Sequence, residues 1–271
     1  MENARIKEVL RLRKARERRA AGLFVAEGTR EVERALRAGL VANALYVASE
    51  LLPAWAPERV AEPPRRPDKA PGVPADWTPE TDTAARRFPA LEEVSARVLA
   101  KMAYRVEPEG VLGVFEIPQR GLPTDADLIL VAVEIEKPGN LGAMARTADA
   151  AGADALLVVG TASDPWNPNA IRASTGAVFT LPIIGATLDD VRALAHRKVA
   201  AVVGAPTPYT ATDLTQPTAL IVGAEDEGLD AHWREAADVH VSIPMRARSA
   251  DSLNAATSAA LLLYEAVRQR G

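Results

Sequence analysis

Residues 128–147 read LILVAVEIEKPGNLGAMART, an apolar run followed by a glycine-containing turn and the start of a helical pattern. A glycine-rich turn between a strand and a helix brings the backbone close to an anionic or nucleotide-like ligand. The glycines fall at positions 139 and 142, so the stretch contains neither the dinucleotide fingerprint G-x-G-x-x-G nor the P-loop pattern. With Asn140 and the cationic Arg146 beside the turn, the stretch is suited to holding a ribose or a phosphate group.

Five further apolar runs of strand length follow, with helical patterns between most of them. They cover residues 155–159, 179–184, 199–203, 219–222 and 239–243. Continuous apolar strands that alternate with helices are typical of a parallel sheet buried on both faces. The sequence therefore predicts an α/β domain over residues 127–271. Because ligands bind at the carboxyl ends of strands in such folds, we expect the turns after three of the strands to form one site.

The N-terminal part is predicted to be a separate, smaller α/β domain over residues 1–117, with a linker over 118–126. Its predicted elements are helices over 5–19, 31–38 and 91–103 and strands over 23–25, 44–47 and 110–115. Thr29 is the expected N-cap of the second helix, and Gly39 is its expected stop. Eight of the chain's 20 prolines lie in residues 53–79, which predicts an irregular segment there.

Composition excludes several classes of function. The chain of 271 residues contains no cysteine, which rules out disulfides, iron–sulfur clusters and cysteine nucleophiles. The three histidines, His196, His232 and His240, lack the spacing of metal ligands, so no metal site is predicted. No apolar run reaches the length of about 18 residues that a membrane span needs, and no secretory signal is apparent. We therefore expect a cytoplasmic protein without a membrane partner.

Basic side chains are concentrated near the N-terminus of a chain whose formal net charge is −4. They are Arg5, Lys7, Arg11, Arg13, Lys14, Arg16, Arg18 and Arg19. A local basic segment on an acidic protein fits docking onto RNA phosphates, and it fits a solvated helix face equally well. Arg11, Arg18 and Arg19 are the candidates for RNA contact under the first interpretation.

Four segments together resemble the SpoU family of RNA ribose 2′-O-methyltransferases, within the knotted SPOUT superfamily. They read PGNLGAMARTA at 138–148, NAIRASTGA at 169–177, IVGAEDEGL at 221–229, and IPM at 243–245 followed by SLN at 252–254. Residues 18–30 resemble the opening of a small domain, similar to a ribosomal RNA-binding protein, that many members carry. The layout most resembles ribosomal-RNA methyltransferases that confer antibiotic resistance on producer bacteria.

The resemblance implies a fold, a cofactor and a reaction. The second domain would contain a deep trefoil knot, which is a rare exception to unknotted topology. The cofactor would be S-adenosylmethionine, and the methyl group would go to a ribose 2′-hydroxyl of RNA. Ribosomal RNA, most specifically 23S, is favoured over transfer RNA because a separate RNA-binding domain suggests a structured ribosomal target. The family also forms homodimers through this domain, consistent with a final helix, predicted over 253–268, that is apolar on more than one face.

The resemblance also assigns roles to individual residues. It places Arg146 at the 2′-hydroxyl, and because arginine stays protonated we expect it to bind the target phosphate and polarise that hydroxyl. The rest of the catalytic set would be Asn140, Glu225, Ser252 and Asn254. Glu225 would orient Arg146 or another residue. The expected cofactor residues are Ser174, Gly176, Leu220, Val222, Gly223, Ala224, Ile243, Met245, Ser252 and Leu253. Arg30, and Lys137 at a position where many members have Asp or Asn, are further candidates for RNA contact.

Local explanations exist for most of these polar residues. Asn140 is also suited to a turn, Glu225 to a helix N-terminus, and Ser252 and Asn254 to capping the last helix. A non-catalytic RNA-binding or ribosome-assembly factor with the same fold, and a small-molecule enzyme with a nucleotide cofactor, are the alternative functions. A chain that had lost catalysis would be expected to have lost at least one member of the polar set, which favours the enzyme.

Overall fold

The computed structural model describes residues 4–52, 91–160, 164–246, 249 and 251–271. The predicted irregular segment over 53–79 lies outside the described residues. The chain divides into two compact units. The first contains Met1–Gln119 and Trp166–Ile171, and the second contains Arg120–Pro165 and Arg172–Gly271. The division therefore falls after residue 119, and Trp166–Ile171, which the sequence predicts in the second domain, groups with the first unit.

The first unit is built on a sheet with the strand order β1–β4–β2–β3. The strands are β1 (Leu23–Glu27), β2 (Ala42–Val47), β3 (Leu91–Glu93) and β4 (Val111–Glu116). The helices are α1 (Ala4–Arg11), α2 (Ala15–Ala21), α3 (Thr29–Arg37) and α4 (Ala96–Met102). Strand β4 runs antiparallel to β1 and β2, and β3 runs parallel to β2. Val9, Leu99 and Met102 from the helices are buried in one cluster with residues of the sheet.

The prediction of one helix over residues 5–19 is wrong, because α1 and α2 are separated at Leu12–Lys14. Lys14 is extended, with φ −93° and ψ 131°. Arg18 is only 2% exposed, and its Nη1 donates to the Leu12 carbonyl oxygen at 2.6 Å. Leu12 itself is buried in the core of this unit. The break brings both residues inward, where the guanidinium satisfies a carbonyl that the interrupted helix leaves free.

Two other predicted boundaries in this unit are wrong. Gly28, not Thr29, is the N-cap of α3, with φ 94° in the left-handed region. L side chains rarely adopt this conformation, which favours glycine here, and an added Cβ would also lie 2.8 Å from a movable carboxylate oxygen of Glu109. Residues 91–93 form β3 rather than the start of a helix, and α4 begins after Ser95, whose Oγ accepts from the Val98 amide at 3.4 Å.

The second unit is an α/β structure, as predicted, with a sheet in the order β7–β6–β5–β10–β8–β11–β9. Its strands are β5 (Leu128–Val133), β6 (Ala155–Val159), β7 (Ile183–Ala186), β8 (Arg197–Ala201), β9 (Thr207–Pro208), β10 (Thr218–Val222) and β11 (Val239–Ser242). Its helices are α5 (Pro138–Ala150), α6 (Pro168–Ser174), which runs across the division between the units, α7 (Leu188–Arg192), α8 (Ala231–Ala236) and α9 (Ala255–Arg270). Each neighbouring pair of strands is parallel.

Central strands β5 and β10 are buried along their whole length, which explains why their sequences are continuously apolar. The predicted strand over 179–184 is wrong in its first half: Ala177–Phe179 forms a 3₁₀ turn, and β7 begins after Pro182. Short strand β9, which pairs with β11, was not predicted. Among the described residues, no helix combines the length and apolarity needed to cross a membrane.

The end of helix α9 is tied to segments that precede two central strands. Arg270 donates through Nε to the Leu214 carbonyl and through Nη2 to the Gln216 carbonyl, both at 2.8 Å, and its Nη1 pairs with Asp127. Gln269 Nε2 donates to the Thr212 carbonyl at 2.9 Å, and its Oε1 accepts from the Leu214 amide at 2.8 Å. The last helix is therefore fixed by side chains as well as by its apolar face.

Substitution Arg270→Ala should lower the free energy of unfolding by about 1–3 kcal/mol, because it removes the donor to the Leu214 and Gln216 carbonyls and to the half-exposed carboxylate of Asp127. Equilibrium urea denaturation measures the loss. Arg192→Ala is the control: its ion pair with Asp189 at 3.2 Å joins side chains that are 42% and 89% exposed, and its removal should cost less than about 1 kcal/mol. Equal losses in both variants would contradict the anchoring role.

Candidate functional site

The carboxyl ends of β8, β10 and β11, which are neighbours in the sheet, surround a cavity of about 630 Å³. Its walls are formed by residues 201–204, 222–229, 241–245, 251–253, Arg234, Ala255 and Ser258. This volume lies within the range of roughly 300–1,000 Å³ typical of small-molecule sites. The location is the one expected for a ligand site of a parallel sheet.

One wall of the cavity is the turn Gly223–Leu229, which leaves no space for a side chain at its first position. A Cβ on Gly223 would lie 2.4 Å from the Gly228 carbonyl oxygen. The Gly228 amide donates to the Ala224 carbonyl at 3.0 Å, and Gly228 has φ 66°. The turn is therefore closed on itself, and a ligand in the cavity faces main chain rather than a side chain at Gly223.

Glu225, in this turn, is the centre of a polar cluster with Lys137, Asn140 and Asn254. Its Oε1 accepts from Nδ2 of Asn140 and, at 2.5 Å, from Nδ2 of Asn254. Its Oε2 lies 2.5 Å from the Lys137 ammonium. Asn254 Nδ2 also lies 3.2 Å from Oδ1 of Asn140. The start of α5 with the residue before it, the turn after β10 and the start of α9 thus meet at a single carboxylate.

Asn254 combines the two roles that the sequence left as alternatives. It is the N-cap of α9, and its Oδ1 accepts from the amides of Ala256 at 3.0 Å and Thr257 at 3.3 Å. Capping occupies the oxygen of the side chain, so the amide nitrogen is directed at Glu225. The same side chain therefore begins the last helix and helps to build the polar cluster.

The charges in the cluster stabilise each other. The Lys137 ammonium, by hydrogen bond and charge, holds the pKa of Glu225 below its usual range, and the Asn140 amide and the Ala255 backbone contribute in the same direction. Glu225 in turn raises the pKa of Lys137. Glu225 is therefore an anion at neutral pH, engaged by three side-chain donors. A carboxylate of lowered basicity whose oxygens are already occupied is a poor general base.

Arg146 lies exposed on α5. Within the described ranges, no hydrogen bond or ion pair engages its side chain, so its guanidinium is available to a ligand. No bond joins it to Glu225, which orients Asn140 and Asn254 instead.

Seven of the predicted cofactor residues line the cavity. They are Val222, Gly223, Ala224, Ile243, Met245, Ser252 and Leu253. The other three do not: Leu220 is a fully buried core residue of β10, and the Ser174 Oγ is buried while accepting from the Gly176 amide at 3.2 Å. Residues 247, 248 and 250, between the 243–245 and 252–254 segments, lie outside the described residues.

Residues 201–204, at the end of β8 and directly after it, are part of the cavity that sequence reasoning missed. Strand β8 is the direct neighbour of β10, so its carboxyl end was a predictable wall once the strand order was known. Gly204, which has φ 76°, marked the turn in the sequence. Arg234 also lines the cavity and donates through Nε to the Leu229 carbonyl at 2.9 Å.

The candidate RNA contacts of the first unit differ in exposure. Arg11, Arg19 and Arg30 are exposed. Arg11 pairs with Glu17 at 2.7 Å, and Arg30 lies 3.3 Å from Glu31. Arg18 is buried, so its assignment as an RNA contact is withdrawn in favour of the structural role described above. In the part of the chain that the structure describes, no group of three metal-ligating side chains is found.

Comparison with known proteins gives consistent matches over the whole chain. The profile of the SpoU rRNA Methylase family matches residues 127–264, and the profile of the MRM3-like substrate binding domain matches residues 3–113. The chain is 35% identical to the 23S rRNA (uridine(2479)-2′-O)-methyltransferase of Streptomyces viridochromogenes over 290 residues, which cover 99% of this chain and 91% of that protein.

Two solved structures are similar over nearly the full length. One, described as an RNA 2′-O ribose methyltransferase, is 42% identical, with a TM-score of 0.75 and coverage of 99% of this chain and 97% of the other. The SpoU methyltransferase AviRb from Streptomyces viridochromogenes, in complex with the cofactor AdoMet, is 29% identical, with a TM-score of 0.80 and coverage of 99% and 98%.

Proposed function

This chain belongs to the SpoU rRNA Methylase family, and from this premise we propose that it methylates a ribose 2′-hydroxyl of 23S ribosomal RNA. It is an RNA 2′-O-methyltransferase that uses S-adenosylmethionine. The observation that carries the proposal is the cluster of Asn140, Glu225 and Asn254 beside the cavity at the carboxyl edge of the sheet.

The cavity fits S-adenosylmethionine by size and by the chemistry of its walls. The missing side chain at Gly223 leaves main chain accessible for hydrogen bonds to a nucleoside, and Ile243, Met245 and Leu253 supply partly buried apolar surface. These residues, with Val222 and Ala224, would hold the cofactor. Bound S-adenosylmethionine supplies an activated methyl group with a sulfide leaving group that needs no acid.

Arg146 is proposed to act on the RNA. Its exposed, permanently charged guanidinium is suited to a bidentate contact with the target phosphate. In that position it would also stabilise the negative charge that develops on the 2′-oxygen during transfer. Because Glu225 is a weak base with occupied oxygens, the hydroxyl proton is proposed to leave through the phosphate or a water molecule.

The first unit is proposed to bind RNA, a role supported by the match to a substrate-binding domain and by the exposed Arg11, Arg19 and Arg30. Its similarity to a ribosomal protein, the trefoil knot of the second unit, a homodimer through that unit and a cytoplasmic location all stay predictions. A role in antibiotic resistance also stays a prediction.

Incubation with methyl-labelled S-adenosylmethionine tests the function directly. We expect label to enter 23S ribosomal RNA, presented free or in assembled subunits, at one alkali-resistant dinucleotide, because 2′-O-methylation blocks hydrolysis at that bond. Bulk transfer RNA should stay unlabelled. Label in transfer RNA alone would contradict the proposed substrate. Cofactor binding without label in any RNA would instead support the non-catalytic RNA-binding factor.

A further inference from the structure

Lys137 contacts the polar cluster through one atom, Oε2 of Glu225, whereas the Asn140 and Asn254 amides bind Oε1. It precedes Pro138, the first residue of α5, and caps no amide of that helix with its side chain. Its side chain is 70% exposed, whereas that of Glu225 is 19% exposed. The exposed ammonium thus reaches from solvent to a largely covered carboxylate, at 2.5 Å.

The donors around Glu225 favour its ionised form. Two amide groups and an ammonium converge on its two oxygens, and each of them can only donate through the nitrogen that makes the contact. Protonation would place an O–H against one of these donors and remove an acceptor. Oε1, which accepts from Asn140 and Asn254, would then be the oxygen of a neutral carboxyl group and would hold both amides more weakly.

Lys137 is the one cation paired with Glu225 among the described residues. Other charged groups near the cluster are mostly acidic: Glu136 and Asp226 lie close enough to act on Lys137, and Asp226, Glu227 and Asp251 line the cavity. The cation Arg234 also lines the cavity, but its Nε is engaged by the Leu229 carbonyl. Without Lys137, Glu225 would have no cation paired with it among the described residues.

We propose that Lys137 is a positioning residue, whose ammonium keeps Glu225 as the anion that orients the Asn140 and Asn254 amides at the cavity. This assigns Lys137 to the construction of the site, in place of the RNA phosphate contact expected from the sequence. The expected change in kcat rests on the proposed methyl transfer. The effect of Lys137 on the pKa of Glu225 is a property of the protein alone and does not depend on that function.

The direction of the pH effect follows from the pair. Lys137 holds the pKa of Glu225 low, so the anion is present above that pKa and is lost as the pH falls through it. Removal of Lys137 should raise the pKa of Glu225, so that the carboxylate that accepts from Asn140 and Asn254 is lost at a higher pH than in the wild type. Because the Lys137 end of the pair is largely exposed, the pair contributes little to folding, so the variant should denature at nearly the wild-type urea concentration.

The deciding experiment compares wild type with Lys137→Met and Lys137→Arg. The ¹³C resonance of the Glu225 carboxyl, assigned by its disappearance in Glu225→Gln, is titrated without RNA or cofactor. We expect the midpoint to move to higher pH in Lys137→Met and to stay near the wild-type value in Lys137→Arg. An unchanged midpoint in Lys137→Met would overturn the proposal, whether or not the protein methylates RNA.

Kinetics separate positioning from RNA contact. In Lys137→Met we expect the acid limb of the kcat profile to move to higher pH, with kcat about tenfold below wild type on that limb, as for a slightly misplaced reactive group, and with KM for RNA unchanged. A phosphate contact would instead raise KM and reduce the slope of log affinity against log salt by about one. A raised KM and a reduced salt slope in Lys137→Met would also overturn the proposal. Lys101→Met is the control for the loss of one exposed lysine. Absence of methyl transfer in the wild type would refute the proposed function and leave the titration decisive.

Discussion

Replacement of Arg146 by alanine is expected to lower kcat by about 10²–10⁴-fold, the range associated with loss of a group that stabilises charge in the transition state. The side chain is exposed and makes no bond to a described residue, so folding and S-adenosylmethionine binding should be unchanged. Single-turnover methyl transfer to 23S ribosomal RNA measures the chemical step, and isothermal titration with S-adenosylmethionine measures binding.

Two further variants define what Arg146 supplies. Arg146→Lys keeps the charge but not the planar fork, and we expect it to recover part of the lost rate. Arg192→Ala, which removes an exposed arginine of the same unit, should keep wild-type kinetics. Near-normal turnover in Arg146→Ala would remove Arg146 from the mechanism, and the same loss in both alanine variants would indicate a general effect of charge.

Replacement of Gly223 by alanine is expected to weaken S-adenosylmethionine binding by at least about tenfold, which corresponds to about 1.4 kcal/mol. The added methyl group would lie 2.4 Å from the Gly228 carbonyl oxygen and 2.5 Å from its carbon, both main-chain atoms that cannot turn aside. The Gly223–Leu229 turn would have to open, and such overpacking should also cost about 1–3 kcal/mol of folding stability. Titration calorimetry and urea denaturation measure the two effects.

Gly139→Ala is the matched control. It adds the same methyl group to a glycine of the neighbouring segment, where no heavy atom lies within 4 Å of the new Cβ. Gly139 is also the second residue of α5, so alanine there should be neutral or stabilising by up to about 1 kcal/mol. If Gly223→Ala bound the cofactor as tightly as Gly139→Ala, the turn would not be part of the binding site.

The central sheet was predictable because each of its buried strands is a continuous apolar run of local sequence. Strands β5 and β10 are buried on both faces, so every residue in them is under the same selection for apolarity. The break between α1 and α2 was not predictable, because a run of arginines reads as a solvated helix unless one of them is known to be buried. Arg18 is that exception, and its burial depends on packing that the local pattern does not contain.

The site was predictable in part for a similar reason. Parallel strands bring their carboxyl ends to one edge, which placed Gly223 and Ile243 at the same cavity as expected. The bonds of Glu225 to Asn140 and Asn254 join residues 85 and 29 positions apart in the sequence. No local pattern specifies which amide a carboxylate will accept from across such distances, and the pairing with Lys137 could be read only from the folded chain.

Asn254 both caps α9 and holds the polar cluster, so methyl transfer should depend on α9 being in place. Its hydrogen bond to Asn140 spans 114 residues of sequence and exists only while the start of α9 is docked beside the start of α5. A form in which that helix detaches while the sheet persists would have a cavity but no aligned amides. Loss of methyl transfer on gradual denaturation should therefore precede loss of sheet structure wherever such local opening occurs, and the two should coincide if the second unit unfolds as a single cooperative body.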